Sequence, residues 1–183
     1  LDEKDFEPSE LGYVPQFSIA CEELTVMENV RYAANLRIRT NSQEDLDAYL
    51  ETILTQTGLL ELADKPVKVL SGGQKRRLSL AIELTANPDI LLCDEVTSGL
   101  DLNSERQIVK LLKSLAVEQN RLVISVTHSL ENLEDYDAVV VLFDGVLAYS
   151  GSPKRIMDYF KAKEPSGIYH QLPQLASAHW QKS

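Results

Sequence analysis

The sequence predicts an α/β fold in which a helical subdomain is inserted before a parallel sheet. Two short, continuous apolar runs, Ile90–Cys93 and Leu122–Thr127, are separated by a helix-length stretch with one apolar face. Continuous apolar character is typical of parallel strands that are covered on both faces, and a helix between them completes a βαβ unit. The residues before the first run show helical periodicity instead. These observations together indicate the fold class.

The helical subdomain is expected to span residues 17–86. Thr25 and Glu28 have the spacing of a capping box, which predicts that a first helix begins there. A second helix should begin at Ser42 and end at Gly58, because its apolar residues recur with the i, i+3, i+4 spacing of one helix face. That face contains Leu46, Tyr49, Leu50, Ile53 and Leu54.

A third helix is expected to follow Gly72-Gly73 of the stretch Leu70-Ser71-Gly72-Gly73-Gln74 and to end near Ala86. Two glycines at a helix start let backbone N–H groups approach a phosphate, and the helix N-terminus adds about half a positive charge. A simple glycine-rich helix entry is the alternative interpretation. For the following Lys75-Arg76-Arg77 we favour a solvated helix face over a phosphate-binding cluster.

The last part of the α/β region is predicted to be a hairpin and a helix. Two apolar runs between Asp137 and Ser150 flank Asp144-Gly145, the strongest short hairpin signal. Ser152-Pro153 should then begin a helix with an apolar face. From Lys161 the pattern weakens into a polar tail.

Composition and charge exclude several functions. The net charge of -10 argues against general nucleic-acid binding and against docking on anionic lipid, although a nucleotide can still bind to local backbone amides and a metal. Apolar runs such as Ala138–Phe143 are far shorter than the roughly 20 residues that cross a bilayer. Cys21 and Cys93 lack CxxC spacing, so we expect no zinc site and reduced thiols in a cytoplasmic compartment.

Polar residues follow both predicted parallel strands. Asp94 and Glu95 end the first strand, and His128 follows the second. Ligands of open parallel sheets bind beyond the carboxyl ends of the strands, so these three residues are candidates for one site. Taken singly, each has a structural alternative, since an acidic pair often just starts a loop and a lone histidine is often structural.

Five short motifs occur in one order along the chain. They are Tyr13-Val14-Pro15-Gln16, Leu70–Gln74, Ile90–Glu95, Ser98-Gly99-Leu100-Asp101 and His128. This set resembles the Q-loop, signature motif, Walker B strand, D-loop and switch histidine of ATP-binding cassette (ABC) ATPase domains. Finer features resemble the G subfamily of ABC transporters, namely 24–29, 78–84 and 149–160. The resemblance implies a P-loop NTPase-type parallel sheet core with an inserted ABC helical subdomain.

The resemblance also implies residue roles, with ATP and Mg²⁺ as ligands. Asp94 and Gln16 would serve the metal, and Gln16 would also belong to the nucleotide-binding residues. Glu95 would polarise the attacking water, and His128 would donate to the γ-phosphate. ATP held by a second copy in a head-to-tail dimer would be bound or approached by Ser71, Gly72, Gly73, Gln74 and Asp101. The implied partners are this second ATPase domain and a transmembrane domain, C-terminal in the same polypeptide. Such a domain lies at the cytoplasmic face of a membrane and binds no nucleic acid.

Two features depart from the family pattern. Val96 stands where the family usually has proline, which we expect to have a modest geometric effect. The P-loop pattern G-x-x-x-x-G-K-[ST] is missing, because no glycine of the sequence is followed by lysine. We therefore expect a longer polypeptide in which the P-loop precedes these residues, and no turnover by the 183 residues alone.

Four segments follow from the resemblance. Residues 1–16 would end an N-terminal α/β lobe with the Q-loop, and 17–86 would be the helical subdomain. Residues 87–160 would be the α/β core, and 161–183 a linker toward a membrane domain. ATP hydrolysis that drives a transporter is the leading hypothesis. The alternatives are an inert partner subunit that lends its signature motif and a soluble, non-transport ABC ATPase.

Overall fold

The computed structural model describes residues 10–38 and 42–180. The chain divides into two compact units, residues 1–128 and residues 129–183. Residues 1–9 and 181–183, which belong to the first and last predicted segments, lie outside the described residues. The five ordered motifs, from Tyr13 to His128, belong to the first unit, and the feature at 149–160 belongs to the second.

The first unit contains a parallel three-stranded sheet. β1 (Leu11–Val14), β2 (Ile90–Asp94) and β3 (Leu122–Val126) lie in the order β1-β2-β3. Both pairings are parallel, so the structure confirms the predicted βαβ unit. The helical interpretation of the first third of the chain is wrong for β1. Four residues are too short to show a strand period, and β1 exists because it pairs with a strand far along the chain.

Three helices lie between β1 and β2 in the sequence, as predicted: α1 (Val26–Arg37), α2 (Gln43–Gln56) and α3 (Gly72–Leu84). The capping box of α1 is present. Thr25 Oγ1 accepts a hydrogen bond from the Glu28 backbone N–H at 3.1 Å, and Glu28 Oε2 accepts one from the Thr25 N–H at 2.7 Å. The helix therefore begins where the local sequence satisfies its first free N–H groups.

The connection from β2 to β3 is α4 (Leu102–Glu118), whose apolar stripe is buried. Ile108 and Leu112 belong to one hydrophobic cluster with Leu91 and Cys93 of β2, so one sheet face is part of the core. Burial raises the pKa of the Cys93 thiol to about 12. This cysteine is therefore a small buried apolar group at neutral pH.

The opposite face of the sheet is apolar but exposed. Neighbouring side chains from the three strands form two rows, Leu11-Ile90-Leu122 and Tyr13-Leu92-Ile124. The exposed fractions are 55% for Leu122 and 47% for Ile124. Parallel sheets are normally covered on both faces, so this uncovered face is unusual for the fold class.

The second unit is built on a hairpin of β4 (Val139–Phe143) and β5 (Val146–Gly151). Asp144 and Gly145 form its two-residue turn with φ of 50° and 73°. Positive φ at both central residues is the hairpin geometry that an Asp-Gly pair predicts. α5 (Pro153–Phe160) follows at the predicted position.

The predicted polar tail is instead helical in large part, since α6 covers Ser166–Trp180. Ile168 and Leu172 are 1% and 5% exposed and join the aromatic cluster of the hairpin and α5. Two buried residues and an internal proline, Pro173, make too weak a pattern for prediction from sequence. None of the helices that the structure describes is long and apolar enough to cross a membrane.

Candidate functional site

The ends of β2 and β3 bring the predicted acidic pair and histidine together. Because the strands are parallel neighbours, their carboxyl ends meet at one edge of the sheet. The Glu95 N–H donates to the Val126 carbonyl at 3.0 Å, which extends the pairing one residue past the strand. His128 Nε2 lies 2.7 Å from Glu95 Oε1. The convergence that the sequence predicts is therefore present.

Glu95 is held at both carboxylate oxygens. His128 donates to Oε1, and the side-chain amide of Gln16 donates to Oε2 at 2.9 Å. The Glu95 side chain is 21% exposed, whereas that of His128 is 83% exposed. The carboxylate thus has a fixed orientation, and the imidazole beside it is largely exposed.

The backbone at Glu95 is strained. Its φ of 48° lies in the left-handed region, which non-glycine residues rarely adopt and which costs on the order of 1–3 kcal/mol. The next residue, Val96, is fully buried in the core. Apolar packing at the position of the family's proline therefore fixes the strained loop.

Asp94 has a partner that the sequence did not predict. The Tyr13 hydroxyl donates to Asp94 Oδ2 at 3.0 Å, while the amide nitrogen of Gln16 is directed to Glu95. Gln16, predicted as a metal and nucleotide residue, therefore keeps its amide oxygen and one of its two side-chain N–H groups for such a contact. Tyr13 could have been found from the register of β1 on β2, but that register is not visible in the sequence.

The start of α3 is a capping box. Ser71 Oγ accepts from the Gln74 N–H at 3.3 Å, and Gln74 Oε1 accepts from the Ser71 N–H at 2.9 Å. Ser71 and Gly72 are exposed. Among the described residues, no hydrogen bond joins the start of α3 to Asp94 or Glu95.

Asp101 caps α4 and adjoins the start of α3. Its Oδ1 accepts from the N–H groups of Asn103 and Ser104, each at 3.0 Å, and its Oδ2 accepts from Ser104 Oγ at 2.6 Å. The hydrogen bonds from Ser104 hold the pKa of the Asp101 carboxyl below its usual value. A Cβ added to Gly73 would lie 3.4 Å from Ser104, so the two helix starts are neighbours.

The basic residues after the glycine pair are partly exposed and have partners within the unit. Lys75 forms an ion pair with Glu22 at 2.5 Å, and Arg77 donates to Gln107 of α4. Arg76 is partly buried, and this burial lowers the pKa of its guanidinium. These contacts tie α3 to the rest of the unit, and the preference for a solvated face over a phosphate-binding cluster stays a prediction.

Comparison with known proteins identifies one family. The model of the ABC transporter family matches residues 2–98. Protein scarlet of Drosophila melanogaster is 38% identical over 157 residues, which are 81% of this chain and 24% of that protein. The ATP-binding cassette sub-family G member 5 of Rattus norvegicus is 33% identical over 157 residues, with coverages of 82% and 24%. The chain spans about a quarter of the length of these relatives.

A solved structure is similar over most of the chain. It is the dimeric, post-hydrolysis state of an ATP-binding cassette bound to ADP and Pi, with a TM-score of 0.68 and 29% identity. The similarity covers 79% of this chain and 63% of that one, and it confirms the predicted fold class. The family model covers more than half of the sequence, and the relatives include a G-subfamily member. This chain belongs to the ABC transporter family.

Proposed function

We propose that these residues form part of a site that hydrolyses ATP in a head-to-tail dimer and drives a transporter. The observation that carries this proposal is the arrangement of Glu95, whose two carboxylate oxygens are held by Gln16 and His128 at the strand end next to Asp94. The transport part rests on the family and on the relatives, and includes a membrane domain and a location at the cytoplasmic membrane face.

Glu95 is the proposed general base. A base must first have the right geometry, and its fixed carboxylate could take a proton from water as that water attacks the γ-phosphorus and ADP leaves. His128 already lies beside the carboxylate and is largely exposed, so its imidazole could donate to the γ-phosphate oxygens as their charge grows. Because Glu95 is partly buried, few water molecules screen its carboxylate, which strengthens the electrostatic interactions of the carboxylate with the attacking water and with His128.

Asp94 is the proposed metal-holding residue. Mg²⁺ is usually bound through one or two carboxylates together with water and substrate phosphates. Within the described part of the chain, no group of three His, Cys, Asp or Glu residues could hold a metal ion by itself. A single carboxylate at the strand end, with the side chain of Gln16 bonded to the adjacent Glu95, fits an ion that ATP brings with it. Bound Mg²⁺ would supply neutralisation of the phosphate charge.

The glycines at the start of α3 favour the interpretation that a ligand from outside the chain approaches this helix. A Cβ on Gly72 would lie 3.5 Å from Leu100, and one on Gly73 would lie 3.4 Å from Ser104, so packing alone would accept alanine. The glycines instead leave the first N–H groups of α3 open to close approach. We assign them, with Ser71 and Gln74, to the γ-phosphate of ATP held by a second copy, with Asp101 at the dimer seam.

The phosphate-binding loop must come from polypeptide outside these 183 residues, since their sequence contains no P-loop. It could belong to the same protein, with 17–86 and 87–160 as its helical and α/β parts and 161–183 leading to a membrane domain. The lack of a P-loop also fits a second candidate, an inert partner that lends α3 to another subunit's ATP.

The test is Glu95→Gln in the full-length protein. The amide keeps the size and oxygen of the side chain but cannot take a proton, so ATP turnover should fall roughly 10²- to 10⁴-fold while ATP still binds. Glu118→Gln, at an exposed position of α4, is the matched control and should hydrolyse ATP normally. Near-normal phosphate release by Glu95→Gln would contradict the proposed role, and no turnover by the unmodified protein would favour the inert partner.

A further inference from the structure

Tyr13 and Asp94 lie on adjacent strands and on the same face of the sheet. Tyr13 is opposite Leu92 in the register of β1 and β2, so Asp94 is its diagonal neighbour, two residues further along. Such neighbours are within reach of a long aromatic side chain. The hydroxyl donates to Asp94 Oδ2 at 3.0 Å, and no described residue donates to Oδ1. The phenol therefore occupies one oxygen of the carboxylate and leaves the other for a ligand.

A buried carboxylate of α3 holds the backbone of Tyr13 in place. Its N–H donates to Glu83 Oε2 at 3.3 Å, and Glu83 Oε1 is paired with Arg37 Nη2 at 2.8 Å. Glu83 is buried, so this support is protected from water. The ring itself remains 49% exposed. The hydroxyl, and not the exposed ring, is thus the part of the side chain that has a defined partner.

The Tyr13 hydroxyl is a suitable hydrogen-bond donor to the Asp94 carboxylate. A tyrosine hydroxyl is ordinarily protonated at neutral pH, so it can donate to the carboxylate over the physiological range. A neutral donor orients a carboxylate without cancelling its charge, unlike lysine or arginine. Residues that hydrogen-bond to a metal-holding group in this way fix its orientation and tune the affinity of the site.

We propose that Tyr13 is a positioning residue that holds Asp94 through Oδ2 and presents Oδ1 to the metal of the bound nucleotide. This inference rests on the proposed function, because it takes Asp94 as the metal-holding residue. It adds to that function a side chain from β1 that sets metal affinity without touching the nucleotide.

The test is Tyr13→Phe in the full-length protein, which removes the hydroxyl and keeps the ring. Binding of Mn²⁺ in the presence of a non-hydrolysable ATP analogue is measured from the electron paramagnetic resonance signal of free Mn²⁺. We expect the dissociation constant for Mn²⁺ to rise about tenfold, the lower end of the range for partners of metal ligands. The Mg²⁺ concentration for half-maximal hydrolysis should rise similarly, with kcat largely recovered at saturating Mg²⁺. Tyr32→Phe, at an exposed tyrosine of α1, should change neither value.

The Asp94→Asn variant tests the metal assignment of Asp94 separately from the positioning role of Tyr13. If Asp94→Asn abolishes Mn²⁺ binding and Tyr13→Phe leaves it unchanged, Tyr13 has no positioning role and the proposed metal site stands. If Asp94→Asn leaves Mn²⁺ binding intact, the metal assignment itself is wrong. A lower melting temperature for Tyr13→Phe without a change in metal dependence would mean a purely structural role and would overturn the inference.

Discussion

Glu83 is a buried carboxylate that ties three elements of the first unit together. Only 6% of the residue is exposed. From α3 it accepts hydrogen bonds from Arg37 at the end of α1 and from the Tyr13 N–H of β1, and Arg37 also donates to the Ile82 carbonyl at 3.0 Å. A buried charge is tolerated only when its oxygens are satisfied in this way. The network thus fixes the strand that carries Tyr13 and leads to Gln16.

Glu83→Ala is expected to lower the free energy of unfolding by about 3 kcal/mol. This is the low end of the cost of breaking a buried ion pair, because Arg37 is about one third exposed and can recover some hydration. Urea denaturation of the chain and the variant would measure the change. Asp47→Ala is the matched control, since it breaks the half-exposed pair with Arg31 and should cost less than about 1 kcal/mol. Equal losses in the two variants would contradict the prediction.

The residues of the site were predictable to different degrees. Asp94, Glu95 and His128 each follow an apolar run, so the sequence alone predicts that they lie at one edge of the sheet. Tyr13 could not be assigned to Asp94, because the contact depends on the pairing of strands about 80 residues apart in sequence. The strain at Glu95 is likewise a property of the folded loop.

At the scale of secondary-structure elements, helix starts are the most predictable features. The caps at Thr25, Ser42 and Ser152 use side chains within three residues of the groups they satisfy, so local sequence is sufficient. β1 and α6 were missed for the opposite reason. Each depends on partners that are distant in sequence, a neighbouring strand for β1 and an aromatic cluster for α6.

The start of α4 should weaken in acid. The hydrogen bonds from Ser104 lower the pKa of Asp101 in the folded chain relative to the unfolded value near 3.8. A lowered native pKa means that the unfolded state binds the proton more readily. The stabilisation by the charged cap is therefore complete well above pH 4 and is lost as pH falls through the native pKa.

Comparison with Asp101→Asn isolates this effect, because asparagine keeps an accepting oxygen and does not titrate. The free energy of unfolding of each protein would be measured by urea denaturation at several values between about pH 6 and pH 3. The advantage of the native protein over the variant should shrink as pH falls below about 4. A difference that stays constant over this range would show that the charge of Asp101 does not stabilise the helix start.

At the scale of the molecule, the uncovered sheet face is the feature that sequence alone describes least well. Its strands read as continuous apolar runs, which predict cover on both sides, yet α4 and the core cluster cover only one. Which residues face outward follows from the register, in which Ile124 lies level with Leu92 and Tyr13.

This face should bind the dye 8-anilinonaphthalene-1-sulfonate, and Ile124→Thr should reduce its fluorescence. Threonine keeps the β-branched shape that strands favour and replaces an exposed ethyl group with a hydroxyl, so the free energy of unfolding should change by less than about 1 kcal/mol. Ile108→Thr is the matched control, since Ile108 is fully buried in α4. At Ile108 the same change leaves a cavity and buries a hydroxyl, so the free energy of unfolding should fall by at least about 2 kcal/mol. Dye fluorescence that is unaffected by Ile124→Thr, or a stability loss as large as that of Ile108→Thr, would mean that the face is covered in solution.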